Sequence, residues 1–122
     1  MFSSIMARLF LILFLALALA GPALAKRTPP PKVPPISQGA IRFSVPNDDG
    51  RRAYVQARNV KSGKLLWEVT VFRNAIDPKL EEDVQWVFIK KLSIAAGNLV
   101  LVDERDRAYC LDLKFREAAT MR

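Results

Sequence analysis

The chain has 122 residues, with 19 Lys and Arg against 12 Asp and Glu, no histidine and one cysteine. Without histidine, the usual zinc sites, the Ser-His and Cys-His catalytic pairs and a simple charge switch near neutral pH are excluded. The single cysteine, Cys110, excludes an intramolecular disulfide, so packing alone must stabilise the fold. The net charge of +7 favours anionic partners but does not define a fold.

The first 25 residues have the pattern of a secretory signal. One cation, Arg8, precedes an apolar run at 9–20, and the small residues at 23–25 fit the rule for signal peptidase. The run is too short to span a bilayer, which needs roughly 20 apolar residues. We predict cleavage after Ala25, a secreted or periplasmic location and no membrane span after cleavage. An uncleaved anchor lengthened by residues 21–25 is the alternative.

Cleavage removes one cation and no acid, which leaves 97 residues with 18 Lys and Arg against 12 Asp and Glu, a net charge of +6. A chain of this size forms one domain. Residues 26–38 begin with KRTPPPKVPP, and its five prolines predict a disordered, extended linker. A proline-motif ligand or an envelope-spanning tether is the alternative. We predict a small antiparallel β domain at 39–116 and a C-terminal tail at 117–122.

Apolar residues alternate with polar ones from Ile41 onward, and turn residues separate the runs. The pattern predicts an all-β fold, mainly an antiparallel meander of about six strands that forms one sheet like a propeller blade. The clearest strand has Leu65 and Trp67 on its core face, with Phe72 interrupting the polar face. A fourth strand is predicted at 84–94, with a bulge near Lys90 and Lys91. Asp77 followed by proline predicts the start of one short helical segment of about one and a half turns.

The stretch YVQARNVKSGKLLWEV predicts a β-hairpin, because its Lys-Ser-Gly-Lys turn places glycine where a short loop needs a left-handed residue. The same stretch resembles the repeat of quinoprotein-type (PQQ-like) β-propellers, in which a strand ends in Ala-x-Asp, a Thr-Gly-Lys turn follows and a tryptophan comes three residues after the lysine. Asparagine replaces the usual aspartate here, and serine replaces the usual threonine. The matching positions are Ala57, Asn59, Ser62, Gly63, Lys64 and Trp67.

A second partial match lies at 98–115, where Leu111 and Asp112 correspond to the Leu-Asp of the family. The match stops at 114–116, which stand where Thr-Gly should follow. The resemblance implies a blade-like hairpin but no quinone cofactor, because a closed propeller needs at least about four blades and six strands make at most one and a half. The overall layout also resembles small signal-bearing bacterial proteins of unknown role, which adds no activity.

The candidate sites have ordinary structural interpretations beside their chemical ones. Cys110 is expected to be a small, half-buried strand residue, with an intermolecular disulfide as the alternative. The acidic loops at 47–49 and 103–106 offer oxygen ligands for calcium, but neither has the spacing of a known calcium loop, and turn chemistry explains them. Glu81 and Glu82 are adjacent in a helical turn and do not face each other as a catalytic pair would.

Aromatic and basic side chains together suggest a binding surface for single-stranded nucleic acid or another polyanion, although core packing also explains the aromatic residues. The aromatic set is Tyr54, Trp67, Phe72, Trp86, Phe88 and Tyr109, and the candidate anion-binding set is Arg51, Arg52, Arg58, Arg73, Lys90 and Lys91.

The sequence therefore predicts an exported, non-enzymatic binding module of the cell envelope, without cofactor or metal. Its expected partner is a protein or an anionic envelope component, and sheet edges offer a route to a homodimer. An accessory subunit that adds strands to a larger propeller and a basic polyanion-binding protein are the alternatives. An enzyme is the weakest alternative, since no activating group accompanies the carboxylates or the thiol.

Overall fold

The computed structural model describes residues 27–121, which fold into two four-stranded antiparallel sheets with a single 3-10 turn at Asp83–Gln85. The predicted all-β class is confirmed, with eight strands in two sheets in place of six strands in one. The predicted signal segment lies outside the described residues. The strands are β1 (Ile36–Gln38), β2 (Ile41–Ser44), β3 (Arg52–Asn59), β4 (Leu65–Arg73), β5 (Ile89–Ala95), β6 (Asn98–Asp103), β7 (Ala108–Asp112) and β8 (Glu117–Thr120).

The two additional strands lie in the segments predicted as linker and tail. The prolines end at residue 35, so Ile36 begins β1 and pairs with Phe43 of β2 across a turn at Gly39. At the other end, β8 pairs with β7, and Ala118 packs against the core. The alanines of β8 give little strand signal, because they are neither β-branched nor aromatic. The β domain therefore extends beyond the predicted limits of 39–116.

Each sheet is a simple meander, in the orders β1-β2-β3-β4 and β5-β6-β7-β8. The sheets stack in the same order, with β1 beside β5 and β4 beside β8. They enclose one core, and its centre is fully buried. The largest completely buried apolar side chains are Val55, Ile89, Leu99, Leu101 and Leu111.

Bulges explain the irregular alternation in β4. Val69 pairs with Val55 and Phe72 pairs with Ala53, so four residues of β4 lie opposite three of β3. The extra residue brings Phe72 to the core face, where its ring stacks on Tyr109 at 4.8 Å between centroids. The alternation had placed Phe72 on the polar face of β4, and that prediction is wrong.

A second shift in register beside Ala57 changes the start of the same strand. It leaves Leu65, which was predicted to face the core, 41% exposed. In β5, the register shifts between Ile89 and Lys91, which confirms the bulge predicted near Lys90.

The segment between the sheets differs from the prediction. Asp77 accepts the backbone N–H of Lys79 at 2.9 Å in a tight turn, and Gln85 bonds back to the main chain of Asp77, so a helix does not begin there. The 3-10 turn comes six residues later, and β5 begins at Ile89 instead of residue 84. No helix in residues 27–121 is long and apolar enough to cross a membrane.

Candidate interaction surface

The two sheets have the same strand order but bury opposite faces. When the β1–β2 turn is matched to the β5–β6 turn, Ile41 corresponds to Asn98, and Arg42 therefore corresponds to Leu99. Arg42 points outward from the first sheet, whereas Leu99 is fully buried in the second. The outward face of the second sheet thus corresponds to the core face of the first. If the two sheets instead packed through equivalent faces, corresponding residues of both sheets would face the core.

The outward face of the second sheet, called here the open face, consists of three rows of four residues that run across the strands. Its middle row is Ser93, Val100, Cys110 and Ala119; one end row is Lys91, Val102, Ala108 and Met121; the other is Ala95, Asn98, Asp112 and Glu117.

The open face is largely apolar. Val100, Val102, Ala108 and Cys110 lie on its two central strands and are all partly exposed. Its charges lie at the margins, with Lys91 at one corner and the carboxylates of the last row toward the diagonally opposite corner. A contiguous apolar patch rimmed by charge is typical of a protein contact surface.

The outward face of the first sheet is polar by contrast. The guanidinium of Arg52 lies 4.0 Å from the centre of the Tyr54 ring and donates to Thr70 Oγ1 at 3.0 Å. Gln56 donates to Glu68 at 3.0 Å, and Arg52 also lies beside that carboxylate. These groups bond to one another within the sheet, as in the terminal repeats that end a stacked protein. The first sheet therefore closes its end of the stack.

The sheet edges carry features that work against strand pairing. β1 has three residues and β8 has four. β4 is bulged twice, and β5 carries the bulge beside its two exposed lysines. Short strands, bulges and edge lysines are the devices by which proteins protect sheet edges.

The predicted anion-binding side chains are distributed over both sheets. Arg51 pairs with Glu82, and Lys90 pairs with Asp106. Arg58 donates to the carbonyl of Gly63 at 3.0 Å. Arg52 belongs to the polar face of the first sheet, Arg73 ends β4, and Lys91 stands at the corner of the open face. Arg51 and Arg52 are neighbours in the sequence, but the fold does not bring all six side chains together on one surface.

The hairpin residues singled out by the motif form a capped turn. Asn59 Oδ1 accepts the backbone N–H groups of Lys61 at 2.9 Å and Ser62 at 3.0 Å, and Gly63 has a φ of +72°. The carbonyl of Lys64 accepts a hydrogen bond from the backbone N–H of Asn59 at 2.9 Å. Glycine is favoured at such a φ because a Cβ is unfavourable there.

The same turn recurs between β7 and β8. Asp112 Oδ1 accepts the N–H groups of Lys114 at 2.8 Å and Phe115 at 3.2 Å. Arg116 occupies the position of Gly63, with a φ of +59°. The sequence similarity ends at this turn, but the backbone geometry is repeated.

Trp67 lies on the core face of β4, opposite Ala57. Its ring lies 5.9 Å from Phe43, and the guanidinium of Arg116 lies 5.4 Å from its centre. Arg116 therefore joins the β7–β8 turn to Trp67, the aromatic residue that follows the β3–β4 turn.

The aromatic residues do not share one surface. Phe72 and Tyr109 stack between the sheets, while Tyr54 lies on the opposite, outward face of β3 and donates its hydroxyl to Asp48. Burial and this hydrogen bond raise the pKa of Tyr54 to about 12. Trp86 packs beside the backbone of Gly50 and donates to Glu82 at 3.1 Å.

The two acidic loops serve the fold. In the first, Asn47 donates from Nδ2 to the carbonyl of Ile89 at 2.8 Å and accepts the N–H of the same residue at 3.2 Å, which joins the two sheets. In the second, Asp103 is fully buried and organises the β6–β7 turn. Within residues 27–121 no group of three His, Cys, Asp or Glu is suited to hold a metal ion.

Four donors surround the Asp103 carboxylate. Oδ1 accepts the backbone N–H groups of Arg105 at 2.8 Å and Arg107 at 3.0 Å, and Oδ2 accepts Arg107 Nε at 2.8 Å and the Tyr109 hydroxyl at 2.9 Å. Burial alone would raise the pKa of Asp103, but these hydrogen bonds outweigh it and lower the pKa. Burial and the bond to the carboxylate raise the pKa of Tyr109. This network was not predicted; the closely spaced Asp103 and Tyr109 were its only sequence signal.

No protein-family model matches the chain, and no match is found among curated proteins. The resemblance to propeller repeats stays a prediction from the residues.

Proposed function

We propose that the protein is a small exported, non-enzymatic interaction module of the cell envelope, which binds a protein surface through its open face. One observation carries the proposal: the open face corresponds to the buried face of the first sheet, yet nothing within residues 27–121 covers it. The polar outward face of the first sheet leaves only one end of the stack available. The protected edges favour this face over edge pairing.

A second copy of the chain is the proposed occupant. With strands about 4.8 Å apart and same-face residues about 6.7 Å apart along a strand, the open face is nearly square. Sheets pack either nearly aligned or nearly orthogonal. In an orthogonal two-fold dimer, the corner that holds Lys91 meets the partner's corner that holds Glu117, and the apolar centres meet each other. Charge complementarity thus supports a dimer of one defined orientation.

The test uses the full-length gene, expressed with its own N-terminal segment, and mass spectrometry to read the N-terminus of the purified product. Light scattering after size exclusion, over a range of concentrations, should show a dimer. Val100→Arg places a charge at the centre of the open face and should give a monomer. Gln56→Arg on the outward face of the first sheet is the matched control and should remain a dimer.

Cys110 supplies a second measurement, since the orthogonal dimer brings the two thiols of the pair near its centre. A short bismaleimide should cross-link the parent protein and should not cross-link the Val100→Arg variant. A parent protein that stays monomeric at every concentration would refute the second copy as partner. A dimer that survives Val100→Arg would refute the open face.

An accessory role in a larger propeller is the second candidate, and the same-order stacking of two meanders favours it. Here the open face would pack on the terminal blade of another protein. The isolated chain should then be a monomer that binds a dye specific for apolar surface, and Val100→Arg should abolish dye binding.

A further inference from the structure

A cavity of about 460 Å³ opens between the sheets, at the side where β4 lies beside β8. The stacked rings of Phe72 and Tyr109 form part of its wall, and Thr120 of β8 lies beside them. This volume falls in the range of small-molecule binding sites. The residues that line the cavity do not include any residue of the open face, so the two surfaces can be tested separately.

Three arginines line this cavity, and its lining contains no carboxylate. Arg73 comes from the end of β4, while Arg105 and Arg107 come from the turn between β6 and β7. Within the described residues, Arg73 and Arg105 make no ion pair and are exposed. Three guanidinium groups from two separate segments thus line one concave space.

The buried carboxylate of Asp103 lies behind this wall and orients one of the arginines. It accepts Arg107 Nε at 2.8 Å, and no hydrogen bond within residues 27–121 uses the terminal nitrogens of that guanidinium. The same carboxylate accepts the hydroxyl of Tyr109. Asp103 therefore offsets one of the three positive charges and holds Arg107 in place, so the cavity keeps an excess of two positive charges.

We propose that this cavity, called here the arginine cleft, binds a polyvalent oxyanion, in which phosphate or clustered carboxylate groups meet Arg73, Arg105 and Arg107. Guanidinium groups bind such oxygens through paired, charge-assisted hydrogen bonds. The aromatic wall accommodates the rest of a small ligand. The cleft differs from the dispersed basic set predicted from the sequence and shares only Arg73 with it.

Isothermal titration calorimetry with pyrophosphate and with citrate tests the arginine cleft and separates phosphate from carboxylate chemistry. Binding of either probe supports the site. The Arg105→Gln and Arg73→Gln variants should each weaken that binding about tenfold or more, because each removes a charge-assisted contact. Both side chains lack ion pairs in the described fold, so the thermal midpoint should be unchanged in both variants.

Arg58→Gln is the matched control, because it removes an equal charge from the outward face of the first sheet. Its affinity for the probes should equal that of the parent protein. The absence of heat with both probes, or an equal loss of affinity in the control, would overturn the proposal. The oligomeric state of the arginine variants reports separately on the open face, so failure of one proposal leaves the other intact.

Discussion

Replacement of Asp103 by asparagine should destabilise the fold far more than its conservative chemistry suggests. Asparagine can keep the two backbone bonds from Arg105 and Arg107, because its carbonyl oxygen accepts both. Its amide nitrogen takes the place of Oδ2 and can accept neither Arg107 Nε nor the Tyr109 hydroxyl; it can only donate to the hydroxyl oxygen. The loss of the Arg107 bond to a charged group, together with the replacement of the Tyr109 bond by a neutral one in the reverse direction, should cost about 2–3 kcal/mol. For a domain of this size the melting temperature should fall by about 10–20 °C.

Thermal and urea unfolding at neutral pH measure this change directly. Asp106→Asn in the same turn is the control: Asp106 is exposed and, within residues 27–121, forms an ion pair with Lys90 alone, so the free energy of unfolding should change by less than about 1 kcal/mol. Because the folded pKa of Asp103 is lowered, its contribution is present above the ordinary aspartate value and lost as the pH falls through the folded pKa. The difference between the parent and Asp103→Asn should therefore shrink below about pH 3.8. Equal melting temperatures at neutral pH would refute this account.

Three further changes test the turns, the packing and the tyrosines. Ala96→Asn should stabilise the protein by about 0.5–1 kcal/mol in urea unfolding, because Ala96 has a φ of +52° that asparagine tolerates better; no gain would contradict the strain at this turn. Gly50→Ala should destabilise it by about 1–3 kcal/mol and alter tryptophan fluorescence, since the new Cβ would overlap the Trp86 ring; an unchanged spectrum would contradict that packing. The chain's two tyrosines, Tyr54 and Tyr109, both have raised pKa values, so an absorbance titration should show little tyrosinate in the folded protein at pH 10, where denatured protein is half ionised. Their contribution to stability is complete below pH 10 and is lost as the pH rises through the folded pKa values, about 12 in the case of Tyr54; half-ionised tyrosine in the folded protein at pH 10 would contradict their burial.

Local chemistry made most of the fold predictable. The turn at Gly63 and the bulge near Lys90 follow from residue types and broken alternation, and both are found where the sequence placed them. The position of Phe72 did not follow, because a bulge reverses the face of every later residue in a strand. Strand β8 was missed for a related reason: its alanines acquire a role only through pairing with β7.

The two candidate surfaces were less accessible to sequence reasoning, because both depend on how the sheets stack. Arg73 and Arg105 are far apart in the chain, and only the adjacency of β4 and β8 brings their segments to one cavity. The valines of β6 alternate with buried leucines and so indicate a strand that is apolar on both faces. Which of those faces lacks a cover is determined by the relation between the sheets, which no local pattern encodes.

The contrast between equivalent positions limits the kind of assembly this stack allows. Arg42 corresponds to Leu99, and Arg58 corresponds to Leu111, so the first sheet has charges where the second has its core. Adding a further copy head to tail would bury those two arginines against an apolar face, at the cost of desolvating unpaired charge. Two open faces can meet without that cost. The same substitutions that make the first sheet a polar end therefore favour a closed pair over a growing stack of blades.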